Sequence, residues 1–94
     1  MTYMKIEWLH DFRDEPVELY SELDASRWEL RKVEVFRNGT YWYAWKNGAM
    51  GSSVLSEKRI PTMHEIGRDS QFRPTEISKE NFEVLWQRAN ASMN

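Results

Sequence analysis

Arg27-Trp28-Glu29-Leu30-Arg31-Lys32-Val33-Glu34-Val35-Phe36-Arg37-Asn38-Gly39-Thr40-Tyr41-Trp42-Tyr43-Ala44-Trp45 is the stretch on which the fold turns. Asn38-Gly39 accepts positive φ at both central positions of a type I′ turn, and apolar residues crowd both flanks, so the stretch predicts a β-hairpin. One arm carries Trp28, Leu30, Val33, Val35 and Phe36, the other Tyr41, Trp42, Tyr43 and Trp45. These aromatic and β-branched side chains pack well on a pleated surface. The apolar phase slips between Leu30 and Val33, which predicts a bulge or apolar contacts on both faces. Lys46-Asn47-Gly48 predicts a second turn, and Ala49 to Ser53 a small, flexible connection.

Towards the N-terminus, Met4, Ile6 and Trp8 alternate with Lys5 and Glu7, the period of a half-buried strand over residues 3–9. His10 to Glu15 is polar and turn-like. Asp14-Glu15-Pro16 then reads as an acidic helix start with proline in its first turn. Leu19 and Leu23 lie four apart, and Val17 and Tyr20 three apart, so a short helix over residues 15–23 is expected, with Glu18 and Glu22 in water. Asp24, Ala25 and Ser26 end it.

Towards the C-terminus, Val54 to Ile60 predicts a weak strand that Pro61 stops. Thr62 and Glu65 have capping-box spacing and open a short helix over residues 63–68. Phe72 and Pro74 fall in a connecting loop. Ser78 as N-cap, Ile77 and Phe82 as a hydrophobic staple, and Phe82, Leu85, Trp86 and Ala89 at helical spacing predict a helix over residues 79–90. The order β-α-β-β-(β)-α-α predicts an α+β domain: a mainly antiparallel sheet of three to four strands with helices packed on one face.

The chain has 94 residues, 40% apolar and 30% charged, which fits one globular domain spanning 1–94 with a single modest core. With no cysteine, disulfides, thiolate metal sites and thiol nucleophiles are excluded together. The opening residues lack a basic segment followed by an apolar one, and no apolar run approaches the roughly 18 residues of a membrane span. A cytoplasmic protein without a membrane anchor is the expectation. Net charge is only -2, but residues 1–30 hold eight acidic against three basic side chains, and residues 31–59 six basic against two acidic. That asymmetry predicts two surfaces of opposite sign, unless the segments neutralise each other.

Three constellations bear on chemistry. His10 with Asp11 and Asp14 is the one place where an imidazole meets several carboxylates, a weak candidate for a metal or an acid/base pair. Its spacing matches no ligand motif, and the plainer reading is a strand exit into an acidic helix start. His64 stands without a nucleophile motif. No serine sits in GxSxG, and Gly48 to Ser53 lacks the GxxxxGK[ST] phosphate loop; no cofactor is called for. Third, Tyr41, Trp42, Tyr43 and Trp45 must divide between two faces of a strand, so one face offers aromatics beside Arg31, Arg37 and Lys46. Such a face suits a protein partner, because tyrosine, tryptophan and arginine dominate interface hot spots. It would also stack single-stranded nucleic acid, although the overall acidity opposes that. Cross-strand aromatic pairs that only stabilise the sheet are the bland alternative.

Glu7-Trp8-Leu9-His10-Asp11-Phe12, Asp14-Glu15-Pro16-Val17, Leu19-Tyr20-Ser21-Glu22-Leu23-Asp24, Trp28-Glu29 and Arg31-Lys32-Val33-Glu34, continued by Phe72-Arg73-Pro74 and by Ile77-Ser78 with Phe82, Leu85 and Trp86, resemble a family of small bacterial domains of unknown function. The resemblance covers nearly the whole chain. It implies a bacterial single-domain protein and carries over no catalytic residue.

The leading expectation is a small cytosolic protein-binding domain, most concretely an immunity protein that inhibits a bacterial toxin. Its contact residues would be Glu18, Glu22, Arg37, Tyr41, Trp42, Tyr43 and Trp45, with the acidic pair facing a basic groove. The competing readings are a small-molecule or enzymatic site at His10, Asp11 and Asp14, and a single-stranded nucleic-acid binder on the aromatic sheet. A homo-oligomer remains open.

Overall fold

In the computed structural model, which describes residues 1–91, six strands form one sheet. They are β1 (Thr2–Trp8), β2 (Glu18–Leu23), β3 (Glu29–Val35), β4 (Tyr41–Trp45), β5 (Gly48–Ala49) and β6 (Phe72–Ile77), with α1 (Met63–Ile66) preceding β6 and α2 (Lys79–Ala91) following it. The sheet order is β5-β4-β3-β2-β1-β6, and every neighbouring pair is antiparallel. This overturns the three-to-four-strand sheet with helices on one face: the molecule is mostly sheet, and its two helices lie on opposite faces.

The expected helix over residues 15–23 is β2, a central strand. Leu19 and Leu23 serve one face of the sheet and Tyr20 the other, which imitates helical spacing because both faces are covered. Asp24 to Ser26 belong to the β2–β3 turn, where the Asp24 carboxylate accepts the N–H groups of Ser26 and Trp28. Residues 54–60 form no strand. The loop expected around Phe72 and Pro74 is β6. Pro74 is tolerated there because β6 is an edge strand and Pro74 pairs with Ile6 at a position whose N–H would point away from β1. That missing donor also blunts the edge against pairing with another chain.

The hairpin is present as β3–β4, with a different turn. Gly39 takes φ +87° while Asn38 does not take positive φ, and the Thr40 carbonyl accepts the Phe36 N–H at 2.9 Å. The connection is therefore a three-residue loop, Arg37 to Gly39, closed by a glycine bulge. The expected phase slip is a bulge at Leu30: Glu29 pairs with Leu23 and Arg31 with Glu22, leaving Leu30 without a partner on β2.

Both expected C-terminal helices form. Thr62 and Glu65 complete the capping box of α1, and Ser78 Oγ accepts the Asn81 N–H at the start of α2. α2 lays Phe82 and Ala89, both fully buried, on Tyr3, Tyr20, Val33 and Tyr43, with Leu85 and Trp86 packed beside them. Within this aromatic layer the Arg31 guanidinium binds two carboxylates, Glu22 at 2.7 Å and Glu83 at 2.8 Å, and lies over the Phe82 and Trp86 rings. Tyr3 donates its hydroxyl to Glu22 at 2.9 Å.

The opposite face is covered by residues 51–71, a strap with little regular structure. Ile60, Met63 and Ile66 pack on Met4, Ile6 and Leu23. Elsewhere the strap is held by polar bonds: Ser53 Oγ to Glu34 at 2.6 Å, Ser56 N–H to Glu29 at 2.9 Å, and Lys32 Nζ to the Val54 carbonyl at 2.9 Å. Arg27, the one non-glycine residue with positive φ (+68°) among those described, donates to the Ile60 and Pro61 carbonyls.

Candidate functional site

The segment between β1 and β2, residues 9–17, leaves the sheet at Trp8 and rejoins it after Val17. Its ends are tied by the Trp8 N–H to the Val17 carbonyl at 2.9 Å, the Leu9 N–H to the Gln71 carbonyl at 2.7 Å, and the Val17 N–H to the Val35 carbonyl at 2.8 Å. A loop whose ends meet and whose own side chains fill it is an Ω-type loop.

His10 is the internal clamp. The Pro16 carbonyl can only accept, so Nε2 at 2.7 Å donates to it, and Nδ1 accepts the Phe12 N–H at 2.9 Å. Those two partners assign the neutral Nε2–H tautomer and occupy both ring nitrogens. The imidazole also packs on Trp8 (ring centroids 4.3 Å apart) and Phe12 (5.2 Å), and Arg37 donates to the His10 carbonyl at 2.6 Å. Acid/base or metal work at His10 would require breaking the loop. Among the described residues no three His, Cys, Asp or Glu side chains gather to hold a metal ion, and His10, Asp11 and Asp14 are not brought together as such a group.

Outside, the loop presents Phe12, 60% exposed, and Leu9, 41% exposed, together with the exposed carboxylates of Asp11, Asp14 and Glu15. Among the described residues none of those three carboxylates makes an ion pair or side-chain hydrogen bond. Sequence reasoning passed over Phe12 and Glu15 as contact residues. The available signal was an aromatic in a charged stretch assigned to a turn.

The seven expected contact residues are dispersed. Glu22 is buried beneath α2, and the Arg31 guanidinium bonded to it holds its carboxyl below the usual carboxylate range against the opposing effect of burial. Arg31 likewise lowers Glu83. Burial first, and the bond to Glu22 second, push the Tyr3 phenol up. Glu18 is half-buried, paired with Lys5 at 3.3 Å and accepting the Tyr20 hydroxyl at 3.0 Å. Tyr41, Tyr43 and Trp45 lie under α2, the last two meeting Trp86 edge to face at 5.4 and 5.5 Å. This arm mainly fills the core.

Trp42 alone of the four faces the other way. Its ring meets Phe36 at 4.7 Å and 62°, and the backbone of Gly51 (φ +69°) lies against the indole so closely that a Cβ there would stand 2.3 Å from it. Trp42 and Phe36, with Arg13, Asp14 and Arg37, line an open groove of about 530 Å³ beside the Ω-type loop. The structure thus brings Arg37 and Trp42 together, and separates them from Tyr41, Tyr43 and Trp45.

No helix among the described residues is long and apolar enough to cross a membrane. A family model described as a domain of unknown function, DUF6881, matches residues 2–91. No curated protein and no solved structure matches the chain.

Proposed function

The chain belongs to the DUF6881 family, a premise that assigns no activity, and we propose that it is a protein-binding domain whose contact surface is the Ω-type loop of residues 9–17. The observation that carries the reading is Phe12: a large apolar side chain, 60% exposed, on a loop already fixed from within by His10 and from the β3–β4 turn by Arg37. A loop ordered before binding loses little conformational entropy on association, and a rigid aromatic anchor is the type of residue on which interface energy concentrates. Asp11, Asp14 and Glu15 around it favour a basic partner surface by long-range attraction and pairing.

Within that class, a bacterial immunity protein acting in the cytosol is the reading we favour. Three unpaired carboxylates on a preorganised loop are suited to fill a groove built for phosphates, so the target would be a nuclease-type toxin. Glu18 and Glu22, the acidic pair legible in the sequence, are replaced in this role by Asp11, Asp14 and Glu15.

The test is co-expression of the tagged chain with the products of its flanking genes. A stoichiometric complex and protection from the toxicity of one product are expected. Both should be lost in Phe12→Ala and weakened in Asp11→Asn/Asp14→Asn/Glu15→Gln, with thermal unfolding little changed, because Phe12, though it touches His10 and Trp8, lies outside both core clusters and the three carboxylates make no ion pair among the described residues. The reading falls if no flanking product binds, or if the complex survives Phe12→Ala.

A further inference from the structure

We infer that the groove between the Ω-type loop and the β3–β4 turn is a small-ligand site for a planar nitrogenous ring bearing a phosphate, the chemistry of a nucleoside monophosphate. The inference stands on that groove alone and is independent of the protein-binding reading. At about 530 Å³ it lies within the roughly 300–1,000 Å³ of ordinary ligand pockets.

One wall is a corner of two rings, Phe36 and Trp42, meeting at 62°. Trp42 is immobilised there. The Gly51 backbone occupies the space against its indole, which only glycine at φ +69° permits, so a ligand meets a rigid wall. Two rings at such an angle receive a flat ring by stacking on one and touching the edge of the other, and stacking on aromatic side chains is how proteins hold bases.

The other wall supplies charge. Arg13 and Arg37 both line the groove, and neither has a carboxylate partner among the described residues. Arg37 is aimed by its bond to the His10 carbonyl, which uses one of its five donors and leaves the rest of the fork available. Guanidinium forks match phosphate oxygens bidentately. Asp14 stands on the same wall and opposes a bare anion. A ring carrying an N–H gives that carboxylate a hydrogen to accept, so ring and anion together fit where inorganic phosphate alone does not.

The experiment is titration of the isotope-labelled chain with AMP, followed by amide shifts, with adenosine and inorganic phosphate as separate arms. AMP is expected to move residues 13–14 and 36–42, and each half-ligand to bind at least about tenfold more weakly. Arg13→Gln should weaken AMP about tenfold, and Arg13→Lys less, because an ammonium keeps charge but not the fork. Unchanged thermal unfolding of both variants separates lost binding from lost fold, since Arg13 makes no core contact. A single-stranded oligonucleotide with a terminal phosphate distinguishes a free nucleotide from a strand end; whichever binds more tightly is the source, and either must weaken with Arg13→Gln. No shift with AMP at about 5 mM, binding as tight in Arg13→Gln as in the parent chain, or shifts centred elsewhere would overturn the assignment.

Discussion

Beneath α2 the sheet is covered by stacked and edge-on rings threaded by one guanidinium; beneath the strap, the other face is closed by an aliphatic cluster at one end and by serine–glutamate hydrogen bonds at the other. The helical side joins residues from β1, β2, β3, β4 and α2, with Ile77 of β6 packed against them, in one continuous contact, so disturbance there reaches every long strand directly. The strap is tied at separate points: Arg27 at one, Glu29 and Lys32 at another, Glu34 at a third. One face is a single cooperative unit, and the other a series of local clips.

The largest effect that breaks this contrast comes from Phe82, which has no exposed surface and packs on Tyr3 at 5.4 Å and Trp86 at 6.4 Å. Phe82→Ala is expected to cost about 3–5 kcal/mol through lost transfer energy and the cavity left behind, enough to unfold much of a small domain. Urea unfolding followed by fluorescence should show one transition at lower midpoint, with exchange protection falling in α2 and all the long strands together. A variant that melts only α2 would make the helix a detachable element and refute the single-unit view.

Why the sequence disclosed some of this and hid the rest follows from the same contrast. β1 announced itself because Met4, Ile6 and Trp8 alternate with the charged Lys5 and Glu7, although Tyr3 fills the other face, and α1 and α2 because Thr62–Glu65 and Ser78 mark their starts and α2 repeats its apolar residues at helical spacing. β2 did not, because its apolar residues for the two faces, Leu19 and Leu23 on one and Tyr20 on the other, fall at helical spacing with no alternation of apolar and charged residues. Glu22, the residue that made residues 15–23 resemble a solvated helix, is buried against an arginine nine positions on. Pro74 concealed β6, since proline's missing donor argues against a strand unless the strand is an edge, and edge position is a tertiary fact. Of the candidate site, Arg37, Trp42 and the carboxylates Asp11 and Asp14 were legible as residue types. That Trp42 faces away from Tyr41, Tyr43 and Trp45 is simple alternation, but which face would be covered depended on where α2 docks.

A smaller effect sharpens the comparison through charge. Arg31→Met removes the cation between Glu22 and Glu83, leaves the Glu22 carboxylate buried with only Tyr3 as a hydrogen-bond donor, and is expected to cost about 2–3 kcal/mol at neutral pH. Glu83 contributes the lesser share, being about a third exposed and screened. Both carboxyls titrate below their ordinary value in the folded chain. Their stabilisation is therefore complete above the unfolded value near 4.5, and is lost as pH falls through the lower folded values. As pH falls below about 4.5 and through the lower folded values, the parent chain should lose its advantage over Arg31→Met. Parallel stability curves across that range would deny the pair its role.

The smallest effect tests whether the strap is clipped locally. Glu29 is almost wholly buried; one carboxylate oxygen accepts the Ser21 hydroxyl at 2.6 Å, and the other accepts the Ser56 N–H at 2.9 Å and lies 3.6 Å from Lys32 Nζ. In Glu29→Gln the amide oxygen still accepts from Ser56. The new NH₂ faces a serine whose hydroxyl can turn round and accept, so no buried polar atom is orphaned. What disappears is the charge opposite Lys32, which keeps its bond to the Val54 carbonyl. The expected cost is about 1 kcal/mol, read as faster amide exchange over residues 53–58 with protection in α2 unchanged. Because Ser56 must still be held, Glu29→Ala should loosen the same residues further, as its N–H then has no acceptor. If instead Glu29→Gln lowers protection throughout α2, the strap is no set of clips, and both faces of the sheet belong to one cooperative unit.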